Sequence, residues 1–165
     1  MNWLDIVIIV AIAWFALAAF SAGILREVVT LAATIGGAAL AGLFYRELAD
    51  DLRGFTDERT ATVVAFLIIF ASVALMGQLI ASLLKGAASA MMLGWLDHFL
   101  GGLFGLAKGL ALVELFFILF ITYPSWRLDD AIAGSALAPF FLKTVPLLLG
   151  ILPGEFRAAV EGFIP

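Results

Sequence analysis

The sequence predicts an all-α integral membrane protein: a four-transmembrane-helix bundle with a C-terminal interfacial or re-entrant helical segment. Three observations carry that prediction. Hydrophobic residues make up 64% of the 165-residue chain and charged residues 13%, against roughly 45–50% and 25% in ordinary globular domains. With a mean hydropathy of +1.15, too little polar surface remains to cover a water-facing fold. Four apolar runs are each long enough for a hydrocarbon core, which needs about 20 residues. Finally, the fourth run carries Gly101, Gly102, Gly105 and Gly109. In a soluble helix each such glycine costs about 1 kcal/mol relative to alanine. In lipid the same bare strip lets a second helix approach closely.

The runs place a membrane domain over 1–124, with spans at about 3–25, 28–45, 60–84 and 96–123, and a proline-punctuated tail over 125–165. The first span has Asp5 as its one ionised group, near enough to the end to reach water, and Trp3 suits a membrane interface. Lacking Lys or Arg ahead of it, and long for a signal-peptide core, it reads as an uncleaved helix. Arg26–Glu27 interrupts the apolar run, and with no proline or polar cluster there the connection is a very tight turn hinged at Gly23. In the second span Ala33, Gly37 and Ala41 recur at intervals of four, which makes a close-packing face.

Arg46–Arg59 mixes five acids with three arginines and reads as a solvated loop. The third span is uncharged, with Gln78 its strongly polar side chain and Gly77 and Ala81 a small face; Lys85 closes it. Residues 86–95 extend that helix or lie along the interface. In the fourth span Asp97, Gly101, Gly105 and Lys108 fall within roughly 80° of one another around the helix. We read it as the helix the others pack around. Pro124 follows it as a stop signal, and 125–134 reads as a polar loop. In the tail Pro139, Pro146 and Pro153 leave pieces too short to span. Pro153–Gly154 opens a short amphipathic helix with Phe156, Val160 and Phe163 on one side.

Composition also excludes functions. There is no cysteine, hence no disulfide framework, thiolate metal site or cysteine nucleophile. A single histidine, His98, does not make a metal site of the usual kinds. With a net charge of −4 and no basic run, nucleic acid is not an expected partner. Ser72 and Ser82 have no histidine near them in sequence, and no paired aspartates occur mid-span. The sequence reads as non-enzymatic, with no cofactor.

Charges within a span cost about 3 kcal/mol or more and are functional candidates by default. Glu114 is deepest, and reads either as a proton or cation site or as a structural hydrogen bond to a neighbouring helix. Lys108 lies on a different face from Glu114; it snorkels or meets an acid on another helix such as Glu27. Asp97 is placed like an N-cap of the fourth helix, and Arg26–Glu27 like a pin for the tight turn at the membrane surface. Gly101, Gly105, Gly109, Gly37 and Gly77 read as packing positions. An oligomeric channel lined by the glycine face, Glu114 and Lys108 is the alternative.

These residues also resemble a known family. GILREVVTLA (Gly23–Ala32) and LGWLDHFLGGLFGLAKGL (Leu93–Leu110) resemble the two signatures of the bacterial colicin V production protein (CvpA) family, and MNWLDIVI resembles its opening. Two departures stand out: Ser21 and Ala22 occupy positions that are usually basic, and His98 one that is often arginine. The resemblance implies a multi-pass inner-membrane protein with about four spans, linked to colicin V export and more loosely to envelope homeostasis. Its expected partners are the lipid bilayer and either further copies of itself or another membrane protein. Orientation is left open. Counting Lys and Arg, the 46–59 loop and the tail hold six against three elsewhere, which favours both termini inside; relatives bearing a protease after the spans imply both outside.

Overall fold

A computed structural model describes residues 2–88, 94–124, 128–144 and 148–163. Among them the chain is an all-α membrane bundle in which four helices are long and apolar enough to cross a bilayer. They are α1 (Trp3–Ala22), α2 (Ile24–Leu52), α3 (Glu58–Ala88) and α4 (Trp95–Thr122), followed by the short α5 (Asp129–Ala133), α6 (Ala138–Thr144) and α7 (Gly154–Phe163). The centre of the 86–95 linker, the start of the 125–134 loop and the Pro146 break lie outside the described residues.

Helix α1 opens with a reciprocal cap. The Asn2 side chain accepts the backbone N–H groups of Leu4 and Asp5, while the Asp5 carboxylate accepts the Asn2 N–H at 2.7 Å. The helix stops at Gly23, whose φ of +86° only glycine adopts without strain, and α2 starts at the next residue. The hinge is therefore a single glycine. Arg26–Glu27, expected in the turn, lies inside the first turns of α2, because no further residue is needed to reverse the chain.

Two further boundaries differ from expectation. Helix α2 continues through Arg46–Leu52, so the solvated loop shrinks to about 53–57. The stretch RELADDL is made largely of residues compatible with helix, and at about 1.5 Å per residue a helix of this length outreaches the hydrocarbon core. Its charged end therefore emerges while still helical, with Arg53 pairing with Asp50 (3.2 Å) and Glu58 (2.8 Å). Helix α3 likewise starts at Glu58, preceded by Asp57, whose carboxylate accepts the Thr60 N–H at 3.0 Å.

Helix α4 is the hub. Of its most apolar window 56% is buried, against 39% for α2 and 22% for α1 and α3. It packs on α1, α2 and all three tail helices, whereas α3 packs chiefly on α2.

Two seams of small residues hold the spans. Along α1–α4, a Cβ on Gly101 would lie 2.7 Å from the Ala19 carbonyl oxygen, and one on Gly105 2.8 Å from that of Phe15 and into the Ala19 side chain. Gly109 faces Phe15 and Ile12. Along α2–α3, Gly37 sits against Phe70 and Val73, and Gly77 leaves no room beyond the Ala33 methyl. Backbones this close gain dispersion contacts that lipid tails do not supply. Large apolar side chains such as Trp14, Leu17, Leu43, Leu75 and Leu83 point outward, as a lipid-facing surface requires.

The tail forms its own small core against α2, α3 and α4. Phe156 packs between Tyr45, Phe66 and Tyr123, with ring centroids 5.9 Å from each, and Phe141 lies 5.8 Å from Phe117. In α7, Phe156 and Val160 are buried, as its amphipathic pattern predicts.

Candidate functional site

The ionisable groups within the spans gather at two levels. One lies near the Gly23 hinge, and the other lies where the tail meets the bundle.

At the hinge, the missing side chain of Gly23 leaves α2 without a cap of its own. Asp97 supplies it from α4: Oδ1 accepts the Ile24 N–H at 3.0 Å, and a Cβ on Gly23 would lie 2.5 Å from Asp97 Oδ2. Asp97 is thus not the N-cap of its own helix. That position belongs to Gly94, which makes no side-chain cap, and Asp97 is three residues further on. An acid in a first turn still favours the helix dipole, but here its hydrogen bond goes to a neighbour. Beside it His98 Nδ1–H donates to the Phe20 carbonyl at 2.7 Å and its ring stacks on Phe20 at 5.5 Å.

One turn into α2 from the hinge, Glu27 forms an ion pair with Lys108 of α4. The side chains are 5% and 13% exposed, so this is a buried pair of the kind that low-dielectric surroundings demand. Thr30 completes it, accepting from Lys108 Nζ at 3.1 Å and donating to Glu27 at 3.3 Å. Lys108 Nζ also lies 5.9 Å from the centre of the Phe15 ring. Arg26 borders the same space. Its Nε is buried with no hydrogen-bond partner. A cavity of about 200 Å³ opens there, lined by Trp14, Phe15 and Ala18 of α1, Arg26 and Glu27 of α2, Gln78 of α3 and Lys108 of α4, among others.

At the other level, Glu114 is 1% exposed. Its carboxylate accepts the Leu148 N–H on both oxygens at 3.0 Å and the Leu149 N–H at 3.3 Å. These partners lie in the tail. Glu114 stands eight residues before the end of α4, about 12 Å along the axis, so the tail runs back alongside α4 to reach it.

Asp5 does the same from α1. Expected to reach water, it is instead 0% exposed, since the tail folds over it. It accepts from Ser135 Oγ at 2.5 Å, Leu137 N–H at 3.1 Å and Ala136 N–H at 3.2 Å. Reading the sequence missed this role; the signal present was the Asn2–Asp5 spacing, which explains only its local bond. A third clasp, also unforeseen, joins Tyr45 and Arg46 of α2 to Glu155 of α7, with Tyr123 2.9 Å from the Tyr45 hydroxyl.

Lys108 and Glu114 are therefore committed to different partners on different levels, and α1 covers Gly101, Gly105 and Gly109. Among the described residues, the face of α4 that carries these glycines is occupied by α1. Among the described residues no group of three His, Asp or Glu side chains is placed to hold a metal ion.

The comparisons with known proteins fit this frame. The sequence model described as colicin V production protein matches residues 4–146, which takes in the four spans from Leu4 onward, both seams and the buried carboxylates of Asp5, Glu27 and Glu114. No curated protein sequence and no solved structure matches the chain.

Proposed function

The chain belongs to the colicin V production protein family, and from that premise we propose that it is a non-enzymatic factor of the bacterial inner membrane. It supports production and export of a colicin V-type peptide toxin, within a wider part in envelope homeostasis, through helix contacts with partner membrane proteins or further copies of itself. The family match over 4–146 carries this reading.

The chemistry of the buried polar groups supports it. Glu27 and Lys108 hold α2 to α4, Asp97 holds α4 to the hinge, and Asp5 and Glu114 hold the tail. Groups so engaged serve to fix helices. Helix α3, packed chiefly on α2, leaves its outer side for a partner span.

The test is complementation. In a toxin-producing strain deleted for its own family member, expression of this chain restores secreted toxin, read as killing-zone area, and restores exclusion of an envelope-impermeant dye. Membrane insertion at normal abundance with neither restored overturns the reading.

A further inference from the structure

The cavity beside the hinge is the feature that the packing roles leave unexplained. Three titratable groups face it: Arg26 and Glu27 from α2 and Lys108 from α4. Helix α1 contributes the uncharged side chains of Trp14, Phe15, Ala18, Ala19 and Ala22, and α3 the amide of Gln78. Glu27 is engaged by Lys108, so one positive charge is left unbalanced. Arg26 forms no ion pair among the described residues, and its Nε is buried without an acceptor. A half-buried guanidinium whose buried Nε–H lacks an acceptor, beside an apolar wall, is suited to receive an anion.

From this arrangement we propose that the cavity is a binding site for a phosphate-bearing anion, held by Arg26 with Lys108 and Gln78 beside it. A guanidinium offers planar, paired donors that match phosphate oxygens, and here a donor stands ready. Size limits the ligand. At about 30 Å³ per water molecule, the 200 Å³ cavity holds about seven waters' volume, enough for one headgroup but below the usual drug-sized pocket.

Position points to what delivers the anion. Arg26 lies three residues past the hinge, and the lining includes Trp14, 70% exposed, and the exposed Gln78. Phe15, Ala18, Ala19 and Ala22 make an apolar wall. An anionic phospholipid presents a phosphate on an apolar tail at such a depth; free phosphate presents the same chemistry from water. The proposal does not depend on the export role.

The experiment uses the purified full chain in detergent micelles and follows thermal unfolding. Dioleoyl phosphatidylglycerol, dioleoyl phosphatidylcholine and sodium phosphate are titrated in separate arms at matched ionic strength. The expected result is protection by phosphatidylglycerol at concentrations where phosphatidylcholine gives none, with an apparent affinity about tenfold weaker in Arg26→Gln, the loss of a charged donor to phosphate. Protection by sodium phosphate alone, weakened in the same way, supports the site and identifies free phosphate as its source. Ala18→Leu fills the wall from an exposed position of α1 without touching a charge, and it should abolish protection even if Arg26→Gln does not fold. Arg53→Gln, at the opposite end of the bundle, should bind as the wild type does. Protection that is absent for both anions, or undiminished in Arg26→Gln and Ala18→Leu, overturns the proposal.

Discussion

Asp97 caps a helix to which it does not belong: from the first turn of α4 its carboxylate accepts the Ile24 N–H that opens α2, 3.0 Å away. The bond ties the start of α4 to the hinge between α1 and α2. Replacing an N-cap side chain by alanine costs about 1 kcal/mol, with a range of 0.5–2. Asp97→Ala should therefore lower the thermal midpoint in detergent by a few degrees, while Asp97→Asn, which keeps an acceptor oxygen, should retain most of the stability. Equal loss in both would show that charge and not capping is what matters there.

The glycines separate by what stands against them. A side chain at Gly105 collides with Ala19 and the Phe15 carbonyl, whereas a Cβ on Gly102 meets ordinary contact at 3.4 Å and one on Gly36 meets nothing within 4 Å. Overpacking costs about 1–3 kcal/mol, and a displaced helix forfeits its neighbours' contacts as well. Gly105→Leu should thus break the α1–α4 seam and sharply lower the thermal midpoint. Gly36→Ala should be neutral or stabilising by up to about 1 kcal/mol, since the helix gains propensity without strain. Matched midpoints for Gly105→Leu and the wild type would refute the seam.

Much of this fold was legible because lipid imposes it. A chain cannot cross hydrocarbon without long apolar runs, and close helix contacts there favour small residues, so the spans, the α1–α4 strip and the Ala33–Gly37 face declare themselves. The Lys108–Glu27 contact was legible as one of few partners open to a buried cation. Asp97 was misread because its position in sequence describes only its own helix, while the N–H it accepts lies 73 residues away. Asp5 was misread because nearness to a helix end predicts water only where nothing folds over that end. The tail that does so has pieces too short for hydropathy to orient.

The Glu27–Lys108 pair makes a cycle. Removing one partner of a buried pair costs about 3–5 kcal/mol, because the other charge is stranded, whereas replacing both with apolar residues is often neutral or stabilising. Glu27→Met alone should be strongly destabilising. Glu27→Met combined with Lys108→Met should recover most of the loss. Additive midpoint shifts in the double variant would mean that the two side chains do not depend on each other.

Outside the spans, Asp57 sets a pH dependence. Hydrogen bonds from Thr60 hold its carboxyl below the usual carboxylate range. A depressed folded pKa means that the cap contributes at and above the ordinary carboxylate pKa of about 3.9, and that this contribution is lost as pH falls through the folded value. The midpoint difference between the wild type and Asp57→Asn should be constant near neutrality and change below about pH 4. A flat difference down to pH 2.5 would contradict the cap.

The tail offers the broadest test, because two carboxylates on different helices grip it. Asp5 holds residues 135–137 and Glu114 holds 148–149, either side of α6. Leaving buried donors unsatisfied costs about 1–3 kcal/mol each, so Asp5→Ala and Glu114→Ala should each loosen the tail while leaving the α2–α3 seam unchanged. Hydrogen exchange should accelerate at the backbone amides of Leu137 and Leu148 first, and protease should cut beyond Pro124 sooner than in the wild type. If the tail docks as one unit, the first variant already releases much of what the second would, and the double variant should lose less than the combined single effects. Full additivity would show two independent clasps, with α6 able to stay in place while α7 swings away.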